Sequence, residues 1–298
     1  MKTLFKKLLI IGLIALLFGG VLFTVAFAAT GFSFEDLSGL VWEEKTFTSG
    51  PSASSAVIDV DNADITVKPD KAASKITVSY FVCENHKGKK LKTVNVSETP
   101  ETLTLSEKTR WQYNLFLWDF KDTDVIVTIP TDREISLDLT TDNGDVKIQG
   151  GATLKNLHID TDNGDTELIG NITAKVVSIE SDNGDVEIEG NLTASSLTVE
   201  TDNGTFEAEG NITAGSVSVE TDNGNIDAED ALIKANVIHF ITDNGDIDAT
   251  LFGSWDNYKI TVDTDNGDTN LENKPTGNKE LYIDTDNGDA YISFSSDN

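Results

Sequence analysis

From Val146 onward, apolar and polar side chains alternate in short runs broken by Gly and Asn. Around the triplet Asp182-Asn183-Gly184, the apolar positions are Val177 and Ile179 before it, then Val186, Ile188, Leu192 and Ala194 after it. One period earlier the same places hold Leu157, Ile159, Leu168, Ile172 and Ala174. A spacing of two is the mark of a strand with one face buried. Nothing in the repeat shows helical spacing. Each period therefore reads as two or three short strands, with corners at Asp-Asn-Gly and at Gly170-Asn171, Gly190-Asn191 and Gly210-Asn211.

A different pattern opens the chain. Lys2, Lys6 and Lys7 precede an uncharged, mostly apolar run from Leu8 to Ala29. At about 1.5 Å per residue, some 20 residues span the ~30 Å hydrocarbon core of a bilayer. The lysines would stay on the cytoplasmic side, which places everything after residue 30 outside the cell membrane. The run reads as a single-pass anchor, with secretion after cleavage near Ala28 as the alternative. The layout expected is an anchor or signal over 1–30, a linker over 31–55, irregular N-terminal rungs over 56–140 with an insert at 84–121, and regular repeats over 141–298.

The triplet Asp-Asn-Gly begins at 142, 162, 182, 202, 222, 243, 265 and 286, and a degenerate copy lies at Asp61-Asn62-Ala63-Asp64. A fixed period near twenty residues signals a repeat architecture. Asn-Gly between alternating strands also signals a two-residue hairpin, which would give an antiparallel meander. One such unit cannot bury its inward face alone, whereas coiled units stack like residues into a continuous core. The fold expected is thus all-β, a parallel β-helix-like solenoid with rungs about 4.8 Å apart. In it Asn143, Asn163, Asn183, Asn203, Asn223, Asn244, Asn266 and Asn287 form a ladder of stacked amides. Asn and Gly at the corner would supply tolerance of positive φ.

With these motifs in place, the chain resembles the bacterial putative adhesin family, a β-strand-repeat domain of largely unknown function in cell-envelope proteins. The resemblance rests on Ala56-Val-Ile-Asp-Val-Asp-Asn-Ala-Asp-Ile-Thr-Val67, on Asp124-Val-Ile-Val-Thr-Ile-Pro130, and on the Gly-Asp-Val-x-Ile rungs that begin at Gly144. It covers about residues 50 to 294. It implies a right-handed solenoid in a membrane-associated or exported protein and, in some members, a link to envelope stress. It carries over no catalytic motif.

Charge narrows the chemistry. The 298 residues include 51 acidic and 22 basic ones, a net charge of −29, and residues 141–298 hold 33 of the acidic and 7 of the basic residues. Nucleic acid is excluded as a partner, because phosphate binding needs a basic face. Cys83 stands alone, so there is no disulfide framework, and with His86, His158 and His239 it lacks zinc-ligand spacing. Solenoid enzymes that cleave acidic polysaccharides need basic groups beside their carboxylates; residues 141–298 have no Arg. The chain reads as a non-enzyme.

Calcium is the chemical alternative. Asp160-Thr-Asp162-Asn163-Gly164-Asp165 resembles the opening of an EF-hand loop, but it is one residue short before the Gly, and Asn171 stands where the twelfth-position Glu belongs. Asp160, Asp162, Asp165, Asp182 and Asp185 are the candidate Ca²⁺ ligands, against a structural corner whose Asp caps the turn. Stacking would also align Asp160, Glu180, Glu200 and Glu220 in one column and Glu167, Glu187, Glu207 and Asp227 in another. Like charges so placed repel, and cations would stabilise them.

The insert begins with a basic cluster, His86-Lys87-Gly88-Lys89-Lys90, and ends with Trp111, Tyr113, Phe116, Trp118 and Phe120. The aromatics either cover an open sheet edge or form a partner patch for an envelope protein, a glycan or a membrane surface. An open C-terminal rung near Tyr291 and Phe294 would allow end-to-end self-association. The function expected is an extracytoplasmic, adhesin-like interaction or scaffold module, with a divalent-cation-responsive surface protein as the alternative.

Overall fold

A computed structural model of the chain describes residues 2–29, 40–85, 88, 90–109 and 123–296. The residues group into two compact units, one of Met1–Glu43, Val82–Lys92 and Arg110–Asp122, the other of Glu44–Phe81, Thr93–Thr109 and Thr123–Asn298. The first unit contains the helix Lys2–Ala29 and the antiparallel pairs Cys83↔Lys92 and Glu84↔Lys90. Side chains of this helix are described at residues 12 and 15–29. Among the described residues, no helix is long and apolar enough to cross a membrane.

The second unit is mainly a parallel coil, with one antiparallel pairing of Thr77–Ser79 against Ile126–Thr128, and its register decides between solenoid and meander. A hairpin would set Ile179 against Ile188. Instead, Ile159 pairs with Ile179, Ile179 with Val199, and Val199 with Val219, each in a parallel ladder with the next repeat. Two further columns of strands follow the same rule, through Leu168↔Ile188↔Ala208 and Ile172↔Leu192↔Ile212. The alternation read from the sequence is the burial pattern found. Val177, Ile179, Val186, Ile188 and Leu192 and their counterparts point inward and are buried. Each buried Val, Leu or Ile contributes roughly 1.5–3 kcal/mol, and continuity from level to level makes one core.

At both ends the levels are stacked out of chain order. Ser55–Val60 lies between Thr102–Thr109 and Ile135–Thr141, and Ile65–Asp70 lies between Val125–Pro130 and Val146–Gln149. Lys279–Thr285 likewise lies between Val237–Thr242 and Tyr258–Thr264. Two segment readings change accordingly. The insert expected over 84–121 supplies Thr102–Thr109, a strand of the coil whose alternating Leu103 and Leu105 are fully buried. The linker expected over 31–55 includes the strand Leu40–Thr48, where Thr46 and Thr48 hydroxyls meet those of Ser79 and Thr77 at 3.1 and 3.3 Å. In both places a stretch without the Asp-Asn-Gly signature still pairs with a neighbouring strand.

Candidate functional site

Every regular level turns a corner over five positions: Thr or Ser, then Asp, Asn and Gly, then Asp, Thr or Asn. The Asn ladder runs through every level that carries the triplet. Asn163 donates to the Asn143 side-chain oxygen at 3.1 Å, Asn183 to Asn163 at 3.1 Å, Asn203 to Asn183 at 3.0 Å, Asn223 to Asn203 at 3.0 Å, and Asn244 to Asn223 at 3.0 Å. The degenerate copy joins it, because Asn143 donates to Asn62 at 2.9 Å. At the far end the order is Asn244, Asn287, Asn266.

The Asp after the Gly is a second ladder, built from side chain to backbone. The amide of Asp165 donates to Asp145 Oδ1 at 3.0 Å, that of Asp185 to Asp165 Oδ1 at 2.9 Å, and that of Thr205 to Asp185 Oδ1 at 2.7 Å. Two of the five calcium candidates, Asp165 and Asp185, therefore spend a carboxylate oxygen on holding levels together. Asp162 and Asp182 lie exposed on the outer side of the corner, and Asp160 sits on the flat strand before it. Among the described residues, no group of three or more His, Cys, Asp or Glu side chains is placed to hold a metal ion.

The triplet glycines do not serve as expected. Among the described glycines, positive φ is found at Gly88, Gly150, Gly170 and Gly253, none of which belongs to a triplet. What the triplet Gly provides is close approach. A Cβ on Gly184 would lie 1.8 Å from the carbonyl oxygen of Gly164, and one on Gly204 would lie 1.9 Å from that of Gly184. The backbone of one level rests directly on the next, and only hydrogen fits between.

Sequence reasoning missed the residue before the triplet, although the signal is plain: each is Thr or Ser. Thr141, Thr161, Ser181, Thr201, Thr221, Thr242 and Thr285 are buried. Thr201 accepts a bond from the Gly204 amide at 3.1 Å and donates to the Gly184 carbonyl at 3.3 Å. The hydroxyl satisfies one donor and one acceptor that the corner would otherwise bury unpaired.

The exposed face is acidic in the columns foreseen. Asp160, Glu180, Glu200 and Glu220 stand in register, as do Glu167, Glu187, Glu207 and Asp227, a column that Asp248 extends. At its other end Lys147 pairs with Glu167. Asp165, Glu167, Asp185, Glu187 and Glu207 line a shallow groove of about 330 Å³. Burial, then Glu189, Glu207, Glu167 and Glu209, pushes the Glu187 carboxyl above its ordinary 4.5. Burial, then Asp227, Glu229, Asp246 and Asp289, does the same to Asp248 from 3.8.

A raised carboxyl pKa means that the folded chain binds the proton more tightly than the unfolded one. The resulting stability is fully present below the unfolded value and is lost as pH rises through the folded one. We therefore expect the melting temperature to rise as pH falls from neutral to 4.5, the ordinary glutamate value. The rise should shrink at high ionic strength, because salt already screens the columns. A melting temperature that falls steadily over that range at low salt would contradict this electrostatic account.

The aromatic patch Trp111, Tyr113, Phe116, Trp118 and Phe120 lies outside the described residues. Tyr291 and Phe294, placed at an open end from the sequence, lie on Ala290–Ser295, which pairs with Ile247–Phe252. Phe294 packs on Tyr258 with ring centroids 5.5 Å apart. The outermost level is the one that carries Tyr258–Thr264, not the last in sequence.

Parallel strand columns, a shared inward core and one repeated corner define a β-solenoid-like repeat protein. The chain belongs to the Toastrack DUF4097 family, whose pattern matches residues 54–298. Its fold is similar to that of a putative adhesin from Bacteroides fragilis, at 20% identity and a TM-score of 0.52, covering 86% of this chain and 97% of that one. A putative adhesin from Parabacteroides distasonis is similar at 14% identity and a TM-score of 0.51, covering 84% of this chain and 97% of that one. At such identities the likeness is one of fold. No curated protein matches the chain.

Proposed function

We propose that the chain is a non-enzymatic, adhesin-like interaction module displayed outside the cytoplasmic membrane and held there by residues 8–29. The observation that carries this reading is the repetition of the acidic face. Glu167, Glu187, Glu207, Asp227 and Asp248 recur level after level, which suits many weak contacts with an extended partner better than one reaction centre. Family membership and the adhesin-like folds support it.

In this reading the coil is right-handed, as parallel strand crossovers nearly always are, with about twenty residues a turn, the period of a repeat solenoid. The anchor draws on the uncharged run 8–29 and on a 28-residue helix whose Leu16, Leu17, Phe18, Val21 and Leu22 are exposed. The partner is an envelope protein, a glycan or a membrane surface, met through the acidic face or the aromatic residues of the insert. A link to envelope stress is implied by the family resemblance alone. Cations act on the acidic columns as a screening atmosphere. Calcium and sodium chlorides at equal ionic strength should raise the melting temperature alike, whereas a rise with calcium alone would favour a discrete Ca²⁺ site.

The display is tested on intact cells. External protease should digest residues 40–298, while the helix stays with the membranes through an alkaline wash. Protection from protease until the cells are lysed would overturn the placement.

A further inference from the structure

Beyond Phe252 the chain skips a level. It builds the outer one with Tyr258–Thr264 and then returns beneath it, so that Leu281 pairs with Ile238 on one side and with Ile260 on the other. The corner keeps the same order, with Gly288 stacked on Gly245 and Gly267 on Gly288.

The reason for the skip lies in residues 271–274, which close the free edge of Tyr258–Thr264. Ile260 and Lys274 exchange backbone bonds of 2.8 and 2.9 Å. The Asn273 side chain takes both backbone groups of Val262, at 2.9 and 3.1 Å. The Lys274 ammonium donates to the carbonyls of Trp255, Asp256 and Tyr258 at 3.1, 3.1 and 2.9 Å. An edge strand with free amides and carbonyls is a template for another chain, and here those groups of Ile260 and Val262 are used. Only an outermost level can carry such a closure, so the residues that follow it must pass below.

We propose that residues 279–295 form a clasp, a segment that inserts into a gap left by the preceding chain and thereby locks the cap above it. The lock has named parts. The Asn270 side chain takes both backbone groups of Ile292, at 2.9 and 3.0 Å. The Tyr258 ring packs on Phe294, and its hydroxyl donates to the Phe252 carbonyl at 2.9 Å. Among the described residues, the parallel partner of Tyr258–Thr264 is Lys279–Thr285, so the cap persists only while the clasp is in place. Lys279–Thr285 is held on both sides, by Val237–Thr242 and by Tyr258–Thr264.

Hydrogen exchange on the full chain tests this. Amides in 279–295 should exchange as slowly as those in 196–201, and those in 258–264 at least about tenfold faster, because the cap can open alone while the clasp cannot. Exchange in 279–295 as fast as, or faster than, in 258–264 would overturn the clasp. Two variants give a second reading, since a Cβ at either Gly267 or Gly288 would lie 1.9 Å from the carbonyl oxygen beneath it. Gly288→Ala should speed exchange in both segments and Gly267→Ala in 258–264 alone. The reverse assignment would show a stack in chain order and defeat the proposal.

Discussion

Gly204→Ala should cost about 3 kcal/mol or more, enough to unfold much of a marginally stable chain. The new methyl group would meet the Gly184 carbonyl oxygen at 1.9 Å and the Thr201 hydroxyl at 2.7 Å. Neither can move freely, because Thr201 is tied to both glycines and the carbonyl belongs to a backbone held by its own corner. Relief would require two levels to separate, and separation breaks the Asn203–Asn183 bond and the parallel ladders on either side. Gly151→Ala is the control. Its nearest obstacle is the Asn171 carbonyl oxygen at 3.4 Å, an ordinary contact, so its effect should stay within about 0.5 kcal/mol. Urea midpoints for the two variants measure the difference directly. Equal midpoints would mean that the levels are not in contact at the glycine.

The second large effect is a pair of identical substitutions with opposite signs. Thr201→Val should cost about 2–4 kcal/mol, because it leaves the Gly204 amide and the Gly184 carbonyl without their partner inside the corner. Thr166→Val should stabilise the chain by up to about 1 kcal/mol. Thr166 occupies an inward position that Val146 and Val186 fill in the levels on either side, and among the described residues its buried hydroxyl has no hydrogen-bond partner. Val keeps the shape and removes the unmatched polar group. Thermal unfolding of both variants checks the pair, and a loss of stability at both sites would refute the distinction between corner and core hydroxyls.

Much of the fold is legible in the alternation of Val177, Ile179, Val186 and Ile188 and in the interval between triplets, since period-2 burial and a fixed repeat admit few architectures. The acidic columns are legible for the same reason: once the register is twenty residues, Glu180 must stand beside Glu200. What escapes is anything that depends on what lies above a residue. The Gly of the triplet looks like a turn residue in one dimension and proves to be a spacer in three. Thr201 falls in the inward phase of its strand, two residues after Val199, and only the stacked corner shows what its hydroxyl does there, bonding the Gly204 amide and the Gly184 carbonyl. The stacking order at the far end is hidden because its levels present the same Asp-Asn-Gly corner to one another. Asn270, Asn273 and Lys274, outside the motif, distinguish the outermost level there from its neighbours.

The central claim is that each level is a structural unit held by its neighbours alone, which leaves function to the outer faces. Deleting residues 182–201 tests it most directly, because Ser181 would then run into Asp202 and restore the Ser-Asp-Asn-Gly sequence. The account predicts a soluble chain with unchanged strand content per residue by circular dichroism, and a cooperative melt close to that of the parent. Loss of the strand signal and of the cooperative melt would contradict it.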